Sequence, residues 1–574
     1  MGSMALDFQA VGHNADALFS LKLHRGEGMA LLAMNWKNGT PPNDFAGFAI
    51  QYREPGGDRF FDLKNRLGFL DGAGKIDPTR LSSMLSPIQK FRWVHFPRNA
   101  ELDGLFTYRV TPVFMNVANE LSYGLAQEAQ ITLMRDTYPG QLNVTFTRGF
   151  VSSQAFVDRY ASTPGAMATL LPPKSDQGLN FTPTHPKAAE ALAWMGFEAR
   201  REILKALDEA IADGAEVRVI AYDLSEPEIV SRLEQLDQRL KILIDDDGAH
   251  EEPTSGESIA AGRLAVTAGA ANVRRQHMGK LQHNKMIIVD GPTVKKAIGG
   301  STNYSWRGFY VQANNAVIVE GAAAIAPFLT AFDNYWASDS AKDFGSSGSA
   351  VWHDLGLPGI DGKVTFSPHA GDNALLATIA KDIEQGAKSS ILYSLAFLFQ
   401  TPGIIQNAIR TVMPRDDIFI YGISDRKVGG LELLQPSGNI APMRPSALTN
   451  KAPPPFKEEP TGGGGTRMHH KFLVLDFDKP TARVYLGSYN FSIPADTKNG
   501  ENLFLFRDRR IATSYMVEAL RIFDHYQFRV AREEAKDAGR PLALRRPPRA
   551  AGEVSWFADY YSVPRKIRDR ELFA

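Results

Sequence analysis

The chain has 574 residues, 44% of them hydrophobic and 22% charged, the balance of a folded protein of roughly two to four domains. Its 64 basic and 64 acidic side chains cancel, which removes any global attraction to polyanions and disfavours a dedicated nucleic-acid binder. The absence of cysteine excludes disulfides, thiolate zinc sites and cysteine nucleophiles.

No apolar run is long enough to span a bilayer. The first residues show no signal peptide, and Met1-Gly2-Ser3-Met4 reads as an added leader with Met4 as the natural start. The expected location is cytoplasmic or peripheral to a membrane. Secretion stays open, because a removed leader would not show.

From about Phe19 to Met134 the chain reads as strands broken by turn residues. Gly47-Phe48-Ala49-Ile50-Gln51-Tyr52-Arg53 before Pro55-Gly56-Gly57 is one example. No long helical pattern interrupts them, the signature of a small antiparallel sandwich. Phe106-Thr107-Tyr108-Arg109-Val110 resembles a late strand of a fibronectin type III or similar immunoglobulin-like module.

After Pro139 strands alternate with amphipathic helices, which predicts mixed sheets covered by helices. The pattern repeats. Val144-Thr145-Phe146-Thr147 opens one half and Val364-Thr365-Phe366-Ser367 the other. Helices are expected from Lys187 to Asp213 and from Asn373 to Gly386, followed by strands at Val217 to Tyr222 and Ser390 to Leu395. A long irregular insert then follows in each half, roughly Asp245 to Leu281 and Ser424 to Met468. The second holds Pro453-Pro454-Pro455 and Gly462-Gly463-Gly464-Gly465 and is expected to be flexible. Both are read as loops at a substrate mouth. The predicted divisions are 1–138 for the β module, 139–362 for the first half and 363–574 for the second.

Each insert ends at the same phrase. The first copy is His283-Asn284-Lys285, four residues, Asp290, then Gly300-Ser301-Thr302-Asn303. The second is His469-His470-Lys471, four residues, Asp476, then Gly487-Ser488-Tyr489-Asn490. The histidine-to-asparagine spacing is 20 in one and 21 in the other. On a strand, residues two apart share a face, so each histidine lies with its lysine and away from its aspartate. Asp290 and Asp476 are therefore read as supporting groups, with Ser301 and Ser488 beside them. His470 takes the opposite face from His469 and is expected to be packed. Two imidazoles allow one to attack phosphorus while the other protonates a leaving group. Lys285, Lys471, Asn303 and Asn490 can hold the phosphate through donors placed for its growing charge.

The duplicated H-x-K-x4-D with trailing G-S-x-N resembles the phospholipase D superfamily over roughly residues 140 to 574. The resemblance implies two pseudo-twofold-related α/β halves sharing one site. It also implies a phosphohistidine intermediate, no cofactor and no metal. In that family a Glu downstream of the asparagine often bonds the histidine. Glu501 lies 11 residues after Asn490 and fits; the matching residue after Asn303 is Asn314. A carboxylate on an imidazole favours its charged form, which predicts His469 as general acid and His283 as nucleophile.

The expected activity is hydrolysis or transfer of a phospholipid head group, with peripheral contact to a membrane. Leu431, Leu433, Leu434, Ile440 and Met443 of the second insert would line the lipid cleft. The alternative is a nucleic-acid phosphodiesterase, favoured by Arg274, Arg275, His277 and Arg467 near the inserts. A third reading makes the β module an adhesive part on a decayed enzyme. The oligomeric state is left open.

Overall fold

The computed structural model describes residues 7–133, 136–149, 156, 159–160, 163, 165–173, 175–371, 374–398, 401–424, 433–434, 440–441 and 468–574. An N-terminal antiparallel sandwich precedes two α/β halves, as the strand patterning predicts.

One sandwich sheet is built from Gln9–Val11, Phe19–Gly26, Met29–Trp36 and Arg92–His95. The other centres on Phe45–Arg53 and Leu105–Met115, with Gln127–Thr132 pairing on the latter. Phe19, Leu21, Leu23 and Leu32 meet Phe48, Ile50, Phe106 and Tyr108 in a shared core. The strand Met29–Trp36 is apolar on both faces because both are covered. Its Ala30, Leu32 and Met34 point into the sandwich, while Met29, Leu31 and Ala33 join the core of the two α/β halves.

The last residues close this contact. Trp556 stacks on Phe91 with ring centroids 5.4 Å apart and donates its indole N–H to the Phe45 carbonyl at 3.1 Å. The segment goes on to form two helices, Asp559–Ser562 and Pro564–Phe573. Just before it, Arg545, Arg546 and Arg549 also bond the sandwich, Arg545 through its backbone on Gln89 and the other two on Asn119. A sandwich so embedded is not a detachable adhesive module. Replacing Trp556 with Ala is expected to cost about 3–5 kcal/mol. One cooperative unfolding transition should still be seen by calorimetry; a separate early transition for the sandwich would contradict the shared core.

The two halves have the same strand order. In the first sheet the order is Leu142–Phe146, Asn315–Glu320, Lys295–Gly300, Met286–Asp290, Glu216–Ala221, Leu240–Ile244, with Val273–Arg275 at the far edge. In the second it is Asp361–Ser367, Glu501–Arg507, Arg483–Gly487, Lys471–Leu475, Ser390–Leu395, Phe419–Ile423, with His353–Asp354 at the near edge. All six shared strands keep their neighbours. The central strands Met286–Asp290 and Lys471–Leu475 are apolar runs buried on both faces, between helices such as Ala188–Asp213 and Arg509–Asp537.

The first insert is not irregular. It holds the helix Gly256–Thr267, capped by Ser255, and the strand Val273–Arg275. The helix buries Ala260, Ala261 and Leu264, so small side chains do the packing and leave little periodic signal. Of the second insert, residues 425–432, 435–439 and 442–467 lie outside the described residues, and the expected flexible and lipid-lining segments lie largely among them. Within it Leu433–Leu434 pairs antiparallel with Ile440–Ala441. Among the described residues, no helix is long and apolar enough to cross a membrane.

Candidate active site

Each histidine phrase enters its sheet at a central strand, so pairing of the two sheets brings the entries face to face. His283 and His469 lie with ring centroids 6.4 Å apart and planes at 68°. Both are buried, as are Lys285, Lys471 and Asn303. The shared face expected from the two-residue spacing is realised in local contacts. Lys471 Nζ lies 3.0 Å from His469 Nε2 and donates to the His469 carbonyl, and Lys285 donates to the His283 carbonyl. Asn303 and Asn490 each keep a buried side-chain oxygen without a hydrogen-bond partner.

The glycines of the G-S-x-N phrases permit this close approach. Gly300 has φ +131°, and a Cβ there would meet the Asn315 carbonyl oxygen at 2.5 Å. Gly487 repeats the arrangement, with φ +149° and the Asn502 carbonyl oxygen at 2.2 Å.

The supports of the two imidazoles are exchanged between the halves. His283 Nδ1 bonds Glu501 Oε2 at 2.8 Å, and His469 Nδ1 bonds Asn314 Oδ1 at 2.8 Å. The expected pairing of Glu501 with His469 is therefore corrected. The reason lies in the seam. Gly500 N–H donates to the Leu281 carbonyl and His469 N–H to the Ala313 carbonyl, so each support is carried beside the opposite phrase. Asn314 is itself oriented: its Nδ2 donates to the Gly308 carbonyl and its Oδ1 accepts from Ser301 Oγ. Both Nδ1 atoms thus face acceptors and carry the proton, which leaves Nε2 of each ring as the reactive nitrogen.

Electrostatically the pocket is cationic and dry. Burial, followed by Lys285 and Lys471, pushes His283 well below the ordinary histidine range. Burial and then Lys471 do the same to His469. Burial lowers Lys285 to about 8 and Lys471 well below its usual value. Burial raises Glu501 to about 8 against the pull of Lys285. Two ammoniums and two imidazoles crowded together in a buried pocket make a site that an anion would relieve.

Residues 191–336 match the family described as cardiolipin synthase, PLD-like domain, a span that contains the first complete phrase. The chain carries a phospholipase D superfamily domain. It is 42% identical over 48 residues to a phospholipase D of Rickettsia prowazekii, covering 8% of this chain and 22% of that protein. It is 26% identical over 141 residues to a mitochondrial cardiolipin hydrolase of Xenopus laevis, covering 25% of this chain and 58% of that one. The chain thus spans well under two thirds of the length of these curated relatives. Among solved structures, a phosphatidylserine synthase of Haemophilus influenzae aligns at 13% identity and a TM-score of 0.37, over 57% of this chain and 84% of that one.

Within this phospholipase D-like region the aspartates stay off the reacting face. Asp290 pairs with Lys295 at the strand end. Asp476 is buried and accepts from the backbone N–H of Lys388 and Ser389 at 2.8 Å each. Ser488 Oγ accepts from Asn502 N–H. His470 points away and bonds Glu518 at 2.9 Å. Arg274 and Arg275 are occupied by carbonyls of the protein, those of Trp336 and of Asp245 and His250 respectively. His277 pairs with Asp246, and Arg467 lies outside the described residues.

Sequence reasoning missed the aromatic walls. The Tyr222 ring lies 4.7 Å from the His283 ring and 4.6 Å from Lys285 Nζ. Phe397 lies 5.9 Å from the His469 ring and 5.3 Å from Lys471 Nζ. Each supplies a cation–π face in place of a counter-ion. Both follow strands that pair with the histidine strands, Ile220 opposite Met286 and Leu395 opposite Lys471, so only the register reveals them.

Proposed function

We propose that this chain is a phospholipase D-type phosphodiesterase that hydrolyses or transfers the head group of a glycerophospholipid through a phosphohistidine on His283. The observation that carries this reading is the crossed pair of buried imidazoles, with a carboxylate behind only one of them. His283 Nε2 attacks phosphorus and becomes positive as the P–N bond forms. Glu501 is placed to compensate that charge, as a carboxylate does behind a catalytic histidine. With the anionic phosphate bound, His469 carries a second proton on Nε2 and gives it to the leaving oxygen as the P–O bond breaks. Behind it stands a neutral amide, which holds the ring without raising its affinity for the proton. The roles expected from sequence are kept, but for the opposite reason: the carboxylate serves the nucleophile.

In the second step water attacks the phosphohistidine, His469 takes its proton, and the P–N bond breaks. An alcohol in place of water gives head-group transfer. Lys285, Lys471, Asn303 and Asn490 supply donors to the phosphoryl oxygens. The incoming phosphate relieves the buried ammoniums and takes over the donor that Lys471 now gives to His469. These steps use side chains alone, with no cofactor and no metal in the reaction path. The names of the matched relatives and the neutral charge balance support a lipid substrate.

The test is a panel of phosphatidylcholine, phosphatidylglycerol and cardiolipin vesicles, single-stranded DNA, RNA and a chromogenic phosphodiester. Head-group release from at least one lipid is expected, at rates well above any nucleic-acid cleavage. Salt-sensitive turnover of DNA with no lipid turnover would replace this reading by the nuclease one.

A further inference from the structure

Beside Tyr222 lies a second cluster that the proposed reaction does not use. His250 lies with its ring centroid 4.6 Å from that of Tyr222. Its Nδ1 bonds Asp245 Oδ2 at 2.8 Å, and its Nε2 lies 3.3 Å from Asp223 Oδ1. Glu257 completes the group: one ligand atom from each of Asp223, His250 and Glu257 lies within 4.8 Å of the others.

Three observations together point to a ligand. First, Glu257 is 2% exposed, and while its Oε1 accepts from Leu224 N–H at 2.8 Å, its Oε2 is buried with no hydrogen-bond partner. A buried carboxylate oxygen facing other ligand atoms needs a cation or a donor. Second, Asp245 holds the far nitrogen of His250, the arrangement that orients a metal-binding imidazole and directs its Nε2 to the ion. Third, ligands about 2.0–2.2 Å from a tetrahedral ion lie roughly 3.4 Å from each other, close to the His250–Asp223 separation.

We propose that Asp223, His250 and Glu257 form a binding site for a divalent transition-metal cation, with Asp245 supporting the histidine. One nitrogen and two carboxylate oxygens suit Zn2+ or Mn2+ better than Mg2+, which favours oxygen ligands and retained water. Binding displaces the proton from Nε2 of His250. The ion lies outside the reaction path. It acts on the wall of the active site, because the Tyr222 ring makes edge contacts with the imidazoles of both His250 and His283. Asp245 also accepts from Gln282 N–H at 2.6 Å, one residue before the nucleophile. Occupancy therefore positions His283.

The experiment is calorimetric titration of the chelator-treated full chain with Zn2+, together with thermal melts, and it does not depend on turnover. Wild type is expected to bind a single Zn2+ and to melt at a higher temperature when loaded. Glu257→Gln keeps the acceptor for Leu224 N–H, and Asp223→Asn keeps the acceptor for Ser305; each should weaken binding by about tenfold to a hundredfold. Their metal-free melting temperatures, near that of wild type, report that both fold. His283→Ala should bind Zn2+ as wild type does. Equal affinity in wild type and Glu257→Gln would overturn the proposal. So would loss of binding in His283→Ala alone, which would place the ion on the catalytic imidazoles.

Discussion

Replacing Glu501 with Gln is expected to lower kcat by roughly a thousandfold to ten-thousandfold, the scale seen when a carboxylate behind a catalytic histidine becomes an amide. Two losses combine. The amide cannot compensate the charge that develops on His283, and it can turn its NH2 toward Nδ1 and shift the ring to the wrong tautomer. The fold should gain. Glu501 is fully buried and its carboxyl is raised to about 8, so ionising it in the folded chain costs stability. A neutral isostere removes that cost, and the melting temperature should hold or rise even as turnover collapses. The partner substitution gives the control. Asn314→Asp places a carboxylate behind His469, raises the pH at which that ring loses its proton, and should move the basic limb of the pH–rate profile upward. A Glu501→Gln variant with near-normal kcat would remove the basis for assigning His283 as nucleophile.

The second large effect is expected from His469→Ala. With a phosphodiester whose leaving group departs without a proton, the first step should proceed and the second should stall, because no base remains to activate water. The result is a burst of about one equivalent, then steady turnover reduced by about 10^4-fold or more. The trapped phosphoryl group should be found on His283 by mass spectrometry. An adduct on His469 in the His283→Ala variant, with none on His283 here, would exchange the two roles.

Much of the architecture was legible because it rests on local periodicity. The helix expected from Lys187 runs Ala188–Asp213, and the strand expected at Ser390 to Leu395 has those bounds. The repeat of the H-x-K and G-S-x-N phrases marked the two histidines and two lysines that the fold buries together. What stayed hidden depends on docking. Glu501 lies 218 residues from His283, and Asn314 lies 155 from His469. Order along the chain pairs each with the nearer histidine, whereas the seam pairs each with the farther one. Tyr222 and His250 were invisible for a related reason. A lone tyrosine at a strand end and a lone histidine in a presumed loop carry no pattern, and only strand register and the helix Gly256–Thr267 bring them to His283.

The exchange of supports also says something about how such a site can specialise. Two identical subunits related by a twofold axis would have to offer identical residues behind both imidazoles, since each would be a copy of the other. Joining the two halves in one polypeptide lifts that constraint, and Glu501 opposite Asn314 is where this chain has departed from it. A substrate phosphate entering between the rings then meets two unlike neighbours, so only one of its two ester oxygens has the right companion to leave. Under the proposed reaction the direction of cleavage rests on Glu501, donated by the half that does not hold His283.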